Sequence, residues 1–262
     1  MKKTTRNLHP SLVIADAPSD VFMNFEAFLS NTETRNHSHS WGQVQLISGG
    51  ILEMKAEDTR FLAPPHLAIW VPAGVKHYSY NRKPLDYCSI NVAHHLTHQF
   101  PSQTSLIKVS PIVSAIIDDF RHRKVNIAQE GTDKRLVQVL LDQLATENIE
   151  PHFLPSSQHK YLAPILTALE ENPINEGSLA NWAQKVHTTE RTLARYCQSE
   201  LGMSFTEWRL RVRYLYSLDL LRKGQSVKEV ALTLGYKQAS SFIGMFKRYA
   251  GVTPDQYKSR LL

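Results

Sequence analysis

The sequence predicts a multi-domain chain: a β-barrel-like N-terminal half followed by two helices, then an all-helical C-terminal half. Three observations predict it. At 262 residues the chain exceeds one ordinary domain and falls short of three, which favours two globular units. The hydrophobic period changes at Ser110 from short alternating runs to helical spacing. In the second half, a pattern of helix, short turn and second helix occurs twice.

The elements follow in order. Residues 21–92 contain β-rich runs broken by Gly, Pro and Asn, among them WGQVQLI, ILEMKA, HLAIWVP, KHYSYN and DYCSINV. Closely spaced short strands of this kind form sandwiches or barrels. Ile112, Val113, Ile116, Ile117 and Phe120 then fall at helical spacing, as do Leu136, Val137, Leu140, Leu141 and Leu144, so two amphipathic helices follow the strands. Most of these residues are expected to pack on the barrel, with some of the surface left to pair two chains. The segment NIEPHFLPSSQHK breaks the pattern and reads as a linker. The boundary is placed near Ser156, dividing the chain into residues 1–155 and 156–262. Beyond it, Ser178, Thr189 and Ser226 each precede a helical run and offer an oxygen to its unpaired N–H groups. Gly202, Gly224 and Gly235 supply the stops.

Composition limits the function classes. With 42% hydrophobic and 21% charged residues, the chain has the make-up of a soluble protein. No run approaches the roughly 18 apolar residues of a spanning helix, and the basic start is followed by polar residues instead of a signal-peptide core. A cytoplasmic protein with no membrane partner is expected. Cys88 and Cys197, the only cysteines, lie in different halves, which offers neither a disulfide framework nor a CxxC metal site. Residues 1–150 hold 15 basic and 15 acidic side chains, whereas residues 151–262 hold 15 and 9. The whole net charge of +6 is therefore C-terminal. Polyanion binding by that half is one reading; a solvated basic surface is the other.

The two copies of the helical pattern are SLANWAQKVHTTERTLARYCQSELGMSFTEW and SVKEVALTLGYKQASSFIGMFKRYAGVTPDQY. In each, a small Ala183 or Ala231 lets two helices cross closely, and Leu193 with Tyr196, or Phe242 with Phe246, fills a small core. The outer face of each second helix is left free for DNA or, alternatively, for protein. Ser226, Ala231, Gly235, Tyr236, Phe242, Phe246, Lys247, Gly251, Pro254 and Tyr257 resemble the signature of the AraC/XylS family DNA-binding domain, and the likeness runs over about residues 161–260. The resemblance implies two helix-turn-helix units, at about 178–200 and 226–249, joined by a connector helix at about 205–221. At about 1.5 Å per residue the connector spans roughly 26 Å, a suitable spacer for grooves about 34 Å apart. The resemblance further implies double-stranded promoter DNA as partner, a homodimer, and contact with RNA polymerase if the regulator is an activator and not a repressor.

Carried over residue by residue, the family's contacts fall on Thr189, Glu190, Arg191, Ala194 and Arg195 in the first unit. Arg191 and Arg195 sit four apart on one face, and an Arg fork can bond O6 and N7 of guanine; the alternative is phosphate contact or pairing with Glu190 or Glu200. In the second unit Gly244 replaces a frequent Arg. Lys237, Gln238, Ser240, Ser241, Lys247 and Arg248 remain, suited to phosphate contacts with modest base contacts from the serines.

In the N-terminal half, ETRNHSHSWGQVQLISGG and APPHLAIWVPAGVKHYSYN resemble the two motifs of a cupin barrel. His37, His39 and His77 match the motif's histidines, Gln43 stands where it has Glu, and Asn31 and His66 replace its opening glycines. Three imidazoles suit a divalent transition metal, but Gln43 leaves an ion's charge uncompensated. The preferred expectation is no metal and no other cofactor, with a small-molecule effector held among His37, His39, Trp41, Gln43, Trp70, His77 and Tyr78. A metal on the three histidines is the alternative. The favoured function is an effector-controlled, sequence-specific transcription regulator with no catalytic residues; the second is a metal-dependent cupin enzyme fused to a helical binding module.

Overall fold

The structure is a computed structural model that describes residues 7–9, 17–48, 50–57, 59–146, 149–150 and 153–259. Most of the opening segment read for an export signal, and Asn148, Pro151 and His152 of the expected linker, lie outside the described residues. The chain divides into two compact units, Met1–Phe153 and Leu154–Leu262.

The first unit runs β1 (Asn7–His9), β2 (Val21–Phe28), β3 (Thr32–Thr34), β4 (Gly42–Ser48), β5 (Leu52–Ala56), β6 (Thr59–Ala63), β7 (Leu67–Val71), β8 (His77–Asn81), β9 (Leu85–Val92) and β10 (Ser105–Lys108). Two helices follow, α1 (Pro111–Arg123) and α2 (Gly131–Thr146), then β11 (Ile149–Glu150). The strands form a five-stranded sheet, β1-β3-β8-β5-β6, and a six-stranded sheet, β11-β10-β7-β4-β9-β2. The sheet-rich N-terminal half expected from the sequence is present, and its strands form two sheets with no ladder joining them among the described residues. Pro64 and Pro65 follow β6 directly and lack the N–H groups a ladder needs, so the chain leaves the first sheet there and enters the second as β7. Residues 149–150, assigned to the linker, instead add a short strand to β10.

Strand parity decides what each face of the six-stranded sheet meets. Val44, Leu46, Ala68, Trp70, Cys88, Ile90 and Val92 pack with Val113, Ile116, Ile117 and Phe120 of α1 and Val137, Leu140, Leu141 and Leu144 of α2 in one apolar core. The opposite parity in β4 and β9 is polar: Gln43 and Gln45, then Ser89 and Asn91, all buried. That polar face lines the interior between the sheets.

The second unit contains α3 (Ala163–Glu171), α4 (Leu179–Lys185), α5 (Glu190–Leu201), α6 (Phe205–Arg222), α7 (Val227–Thr233), α8 (Ala239–Ala250) and α9 (Pro254–Ser259). Ser178 and Ser226 begin α4 and α7 with reciprocal capping boxes to Asn181 and Glu229, and the Thr189 side chain accepts from Thr192 N to start α5. Gly235 follows α7 at φ +80°, a conformation that a β-carbon disfavours. Leu162, Ile165, Leu166 and Leu169 of the first helix and its approach pack with Trp182, Ala183, Leu193, Cys197, Leu201, Trp208 and Val212. Around α8 the core is aromatic: Phe246 lies 5.8 Å from Phe242, 5.6 Å from Tyr257 and 5.3 Å from Tyr214, ring centre to ring centre. Among the described residues no helix is long and apolar enough to cross a membrane.

Candidate DNA-binding surface and inter-sheet pocket

Helix α5 has two unlike faces because its apolar residues recur at helical spacing. Leu193, Cys197 and Leu201 are buried, whereas Thr189, Glu190, Arg191, Ala194 and Arg195 are all exposed. Among the described residues neither Arg191 nor Arg195 forms an ion pair, and Glu200 accepts a hydrogen bond from Ser157 at 3.1 Å instead. Arg195 lies over the Tyr196 ring, 5.2 Å from its centre, and both guanidinium groups are exposed. Tyr196, expected in the small core, is half-buried, its ring 3.9 Å from that of His159 and tilted by 33°.

Helix α8 offers a different surface. Lys237, Gln238, Ser240, Ser241 and Lys247 are exposed around its start and outer side. Arg248 is exposed but committed: its guanidinium donates to Glu207 at 2.8 Å, and Glu207 also accepts from Arg211 and the Tyr249 hydroxyl, each at 3.0 Å. Gly244 lies on the open side, and a β-carbon there meets nothing within 4 Å.

The pocket between the sheets is lined by His37, His39, Gln43, Gln45 and Ser89 together with Asn24, Glu26, Thr34, Tyr87 and others. Its volume is about 40 Å³, room for about three water-sized groups. Glu26 pairs with His9 at 2.8 Å, and both line this space. A chain of amides fixes one wall. Gln45 donates to the Gln43 carbonyl at 2.6 Å, Gln43 donates to the Asn91 carbonyl at 2.7 Å, and Trp41 Nε1 donates to the same oxygen at 3.0 Å.

The three motif histidines come together as expected. Their rings lie 4.4 Å (His37 to His77), 5.1 Å (His39 to His77) and 5.9 Å (His37 to His39) apart. Reciprocal backbone hydrogen bonds of 3.0 and 2.9 Å join His37 to His77, and Gly74 N donates to the His39 carbonyl at 2.8 Å. Trp41 stacks in parallel on His39 at 5.1 Å. Burial pushes the His77 imidazole down to about 3 and lowers His39 below its ordinary value, so both stay neutral near pH 7. Asn31, in place of a motif glycine, holds φ +58°, which Asn tolerates.

Of the seven expected pocket residues, His37, His39 and Gln43 line the space, and Trp41 and His77 stand behind the lining against His39, whereas Trp70 and Tyr78 are elsewhere. Trp70 belongs to the opposite face of its strand, stacked 4.4 Å from Phe100 and donating to the Pro101 carbonyl at 2.8 Å. Tyr78 lies between buried His77 and Ser79 on β8 and is itself half-exposed, so its side chain takes the outer face. Conversely, Asn24, Glu26, Gln45, Tyr87 and Ser89 line the pocket without having been expected there. For Gln45, Tyr87 and Ser89 the signal was the parity of β4 and β9, hidden inside largely buried runs; Asn24 and Glu26 come from β2.

A helix-turn-helix domain family matches residues 182–260. The HTH-type transcriptional regulator NimR of Escherichia coli strain K12 is 32% identical over 225 residues, covering 86% of this chain and 82% of NimR. The HTH-type transcriptional activator RhaR of Yersinia pseudotuberculosis serotype O:3 (strain YPIII) is 29% identical over 149 residues, 52% of this chain and 51% of RhaR. Among solved structures, ToxT from Vibrio cholerae O395 covers 93% of this chain and 100% of its own, at 13% identity and a TM-score of 0.39. A sheet-rich N-terminal unit ahead of a helix-turn-helix region with a free basic face defines a DNA-binding regulator of transcription. The chain belongs to the AraC-type family of helix-turn-helix transcriptional regulators. The enzyme alternative falls, since these relatives are regulators.

Proposed function

We propose that this regulator grips promoter DNA with two helix-turn-helix units, α4–α5 and α7–α8, joined by α6, and that the two are unequal. The observation that carries this is the contrast between their outer faces: Arg191 and Arg195, exposed and outside any ion pair among the described residues, on α5, against Gly244 and a Glu207-bound Arg248 on α8. Helix α5, with Thr189, Glu190 and Ala194 beside the arginines, reads bases. Helix α8 holds phosphates through Lys237, Gln238 and Lys247, with Ser240 and Ser241 making minor base contacts. Arg248 serves as a secondary phosphate contact from within its ion pair.

Residues 1–155 form a cupin-like sensor whose inter-sheet pocket takes the effector, and residues 156–262 form the DNA-binding half. The pocket's polar lining and volume suit an effector of a few non-hydrogen atoms. Effector binding shifts the population of the DNA-binding state. The protein works in the cytoplasm as a homodimer, with RNA polymerase a further partner where it activates. Footprinting on the DNA flanking its own gene tests the paired-unit reading. Protection in successive major-groove segments about one helical turn apart is expected; a single protected groove per chain contradicts it.

A further inference from the structure

We propose that Glu207 is a positioning residue that fixes the second helix-turn-helix unit against the first, so that the chain selects DNA by the spacing of its two subsites as well as by their bases, a role that rests on the paired-unit reading. Glu207 lies in the first turn of α6, between Phe205 and Trp208. Those two side chains, with Val212 further along, are buried in the core that also holds Trp182 of α4 and Leu193 of α5. Arg209 and Arg213 tie the same stretch of α6 to the segment before α4, donating to the Gly177 carbonyl at 3.1 Å and the Pro173 carbonyl at 3.3 Å. The opening half of α6 is therefore part of the first unit.

The carboxylate of Glu207 reaches the second unit. One oxygen accepts from the Arg248 guanidinium at 2.8 Å, and the other accepts from the Tyr249 hydroxyl and from Arg211 Nε, each at 3.0 Å. Arg211, one turn along α6, keeps the carboxylate aimed at α8. The Glu207 and Arg211 side chains are only 18% and 17% exposed, so solvent screens this cluster less than an ordinary surface pair. Hydrogen bonds to an ionised group are short, strong and directional, and three of them on one carboxylate fix an angle. The apolar contacts between the same helices, Tyr214 against Phe246 and Tyr249 with ring centres 5.3 Å apart in both pairs, hold the helices together without fixing that angle, because apolar attraction is non-directional. Lys247 and Arg248 are exposed, as is Gly244 one turn earlier, so Glu207 holds the helix by the side assigned to DNA. Each base pair inserted between two subsites moves one of them by about 3.4 Å along the duplex and roughly 34° around it. Clasped units cannot follow both displacements, whereas unclasped units turn at the Tyr214 contact.

The test compares affinities of the full chain for two duplexes: the footprinted promoter segment, and the same segment with one base pair inserted between its two protected grooves. The parent is expected to lose at least about tenfold on the insertion, the scale of a lost base contact. Glu207→Gln keeps the shape but leaves a single acceptor oxygen facing three donors; it is expected to lose about threefold or less, with circular dichroism unchanged, and Tyr249→Phe to fall between the two. Ser226→Ala removes the cap of α7 and so weakens the second unit away from the clasp; it is expected to discriminate as the parent does. An insertion penalty in Glu207→Gln equal to the parent's overturns the role of Glu207 and leaves the paired-unit reading standing, and relaxed discrimination in Ser226→Ala overturns it too, by making the effect one of stability. A parent that tolerates the insertion without loss overturns the paired-unit reading itself, and this role with it.

Discussion

Glu207 gathers the polar contacts around α6 and α8, and its environment sets a pH dependence. Burial by itself raises the carboxyl, but hydrogen bonds from Arg211 and Tyr249 and the charge of Arg248 outweigh it and hold the group below its ordinary value. A carboxylate held low in the folded chain binds fewer protons than in the unfolded chain. Its stabilisation is therefore complete above the unfolded value near 4.5 and is lost as pH falls through the lower folded value. Glu207→Gln is expected to cost roughly 1–3 kcal/mol at pH 7. Urea unfolding at pH 7 and pH 3 checks this, with the variant and parent converging at the acid end. Gly244 offers the opposite case. It sits inside α8 with open space where a β-carbon would go, so Gly244→Ala is expected to add about 0.5–1 kcal/mol by thermal melting. Gly244→Arg, on the same free surface, is expected to tighten DNA binding and steepen its salt dependence by about one phosphate contact.

At the scale of elements, the meeting of β4 and β7 shows how little tolerance the sheet face has. A β-carbon on Gly42 would stand 2.1 Å from Trp70 Cη2 and 2.9 Å from Thr97 Cγ2, and the indole is held by Phe100 and the Pro101 carbonyl. Gly42→Ala is expected to destabilise the N-terminal unit by about 1–3 kcal/mol, and chemical denaturation in a Trp70→Phe background should recover part of the loss. The same strands show which elements were legible in the sequence. Ser178, Thr189 and Ser226 announce helix starts through chemistry local to one turn, and the structure places α4, α5 and α7 directly after them. Trp70 was assigned to the wrong face because β7 is buried along its whole length, leaving no alternation to reveal parity. Gln45 and Ser89 were overlooked for the same reason: only the pairing of β4 with β9 brings them to one wall. The histidines were found because a spacing motif names them, but the contacts of each Nδ1 with a backbone carbonyl depend on positions that no spacing encodes.

For the whole molecule, the charge asymmetry of the sequence becomes an asymmetry of roles. The C-terminal unit holds the net positive charge, and within it α5 carries two exposed arginines while α8 carries a gap at Gly244 and a tethered Arg248. The N-terminal unit buries Gln43, Gln45 and Ser89 around a small pocket next to three clustered histidines. In the proposed function one unit meets a polyanion and the other holds something small. The division of labour between the two DNA-facing helices is the central claim, and competition binding of the full chain to specific and scrambled promoter DNA tests it most directly. Arg195→Ala is predicted to cost about 1–3 kcal/mol on the specific site and little on scrambled DNA, whereas Lys247→Ala should weaken both alike and lower the salt slope by about one. If Lys247→Ala instead erases sequence preference while Arg195→Ala weakens all DNA equally, the assignment of α5 as reader and α8 as anchor is contradicted.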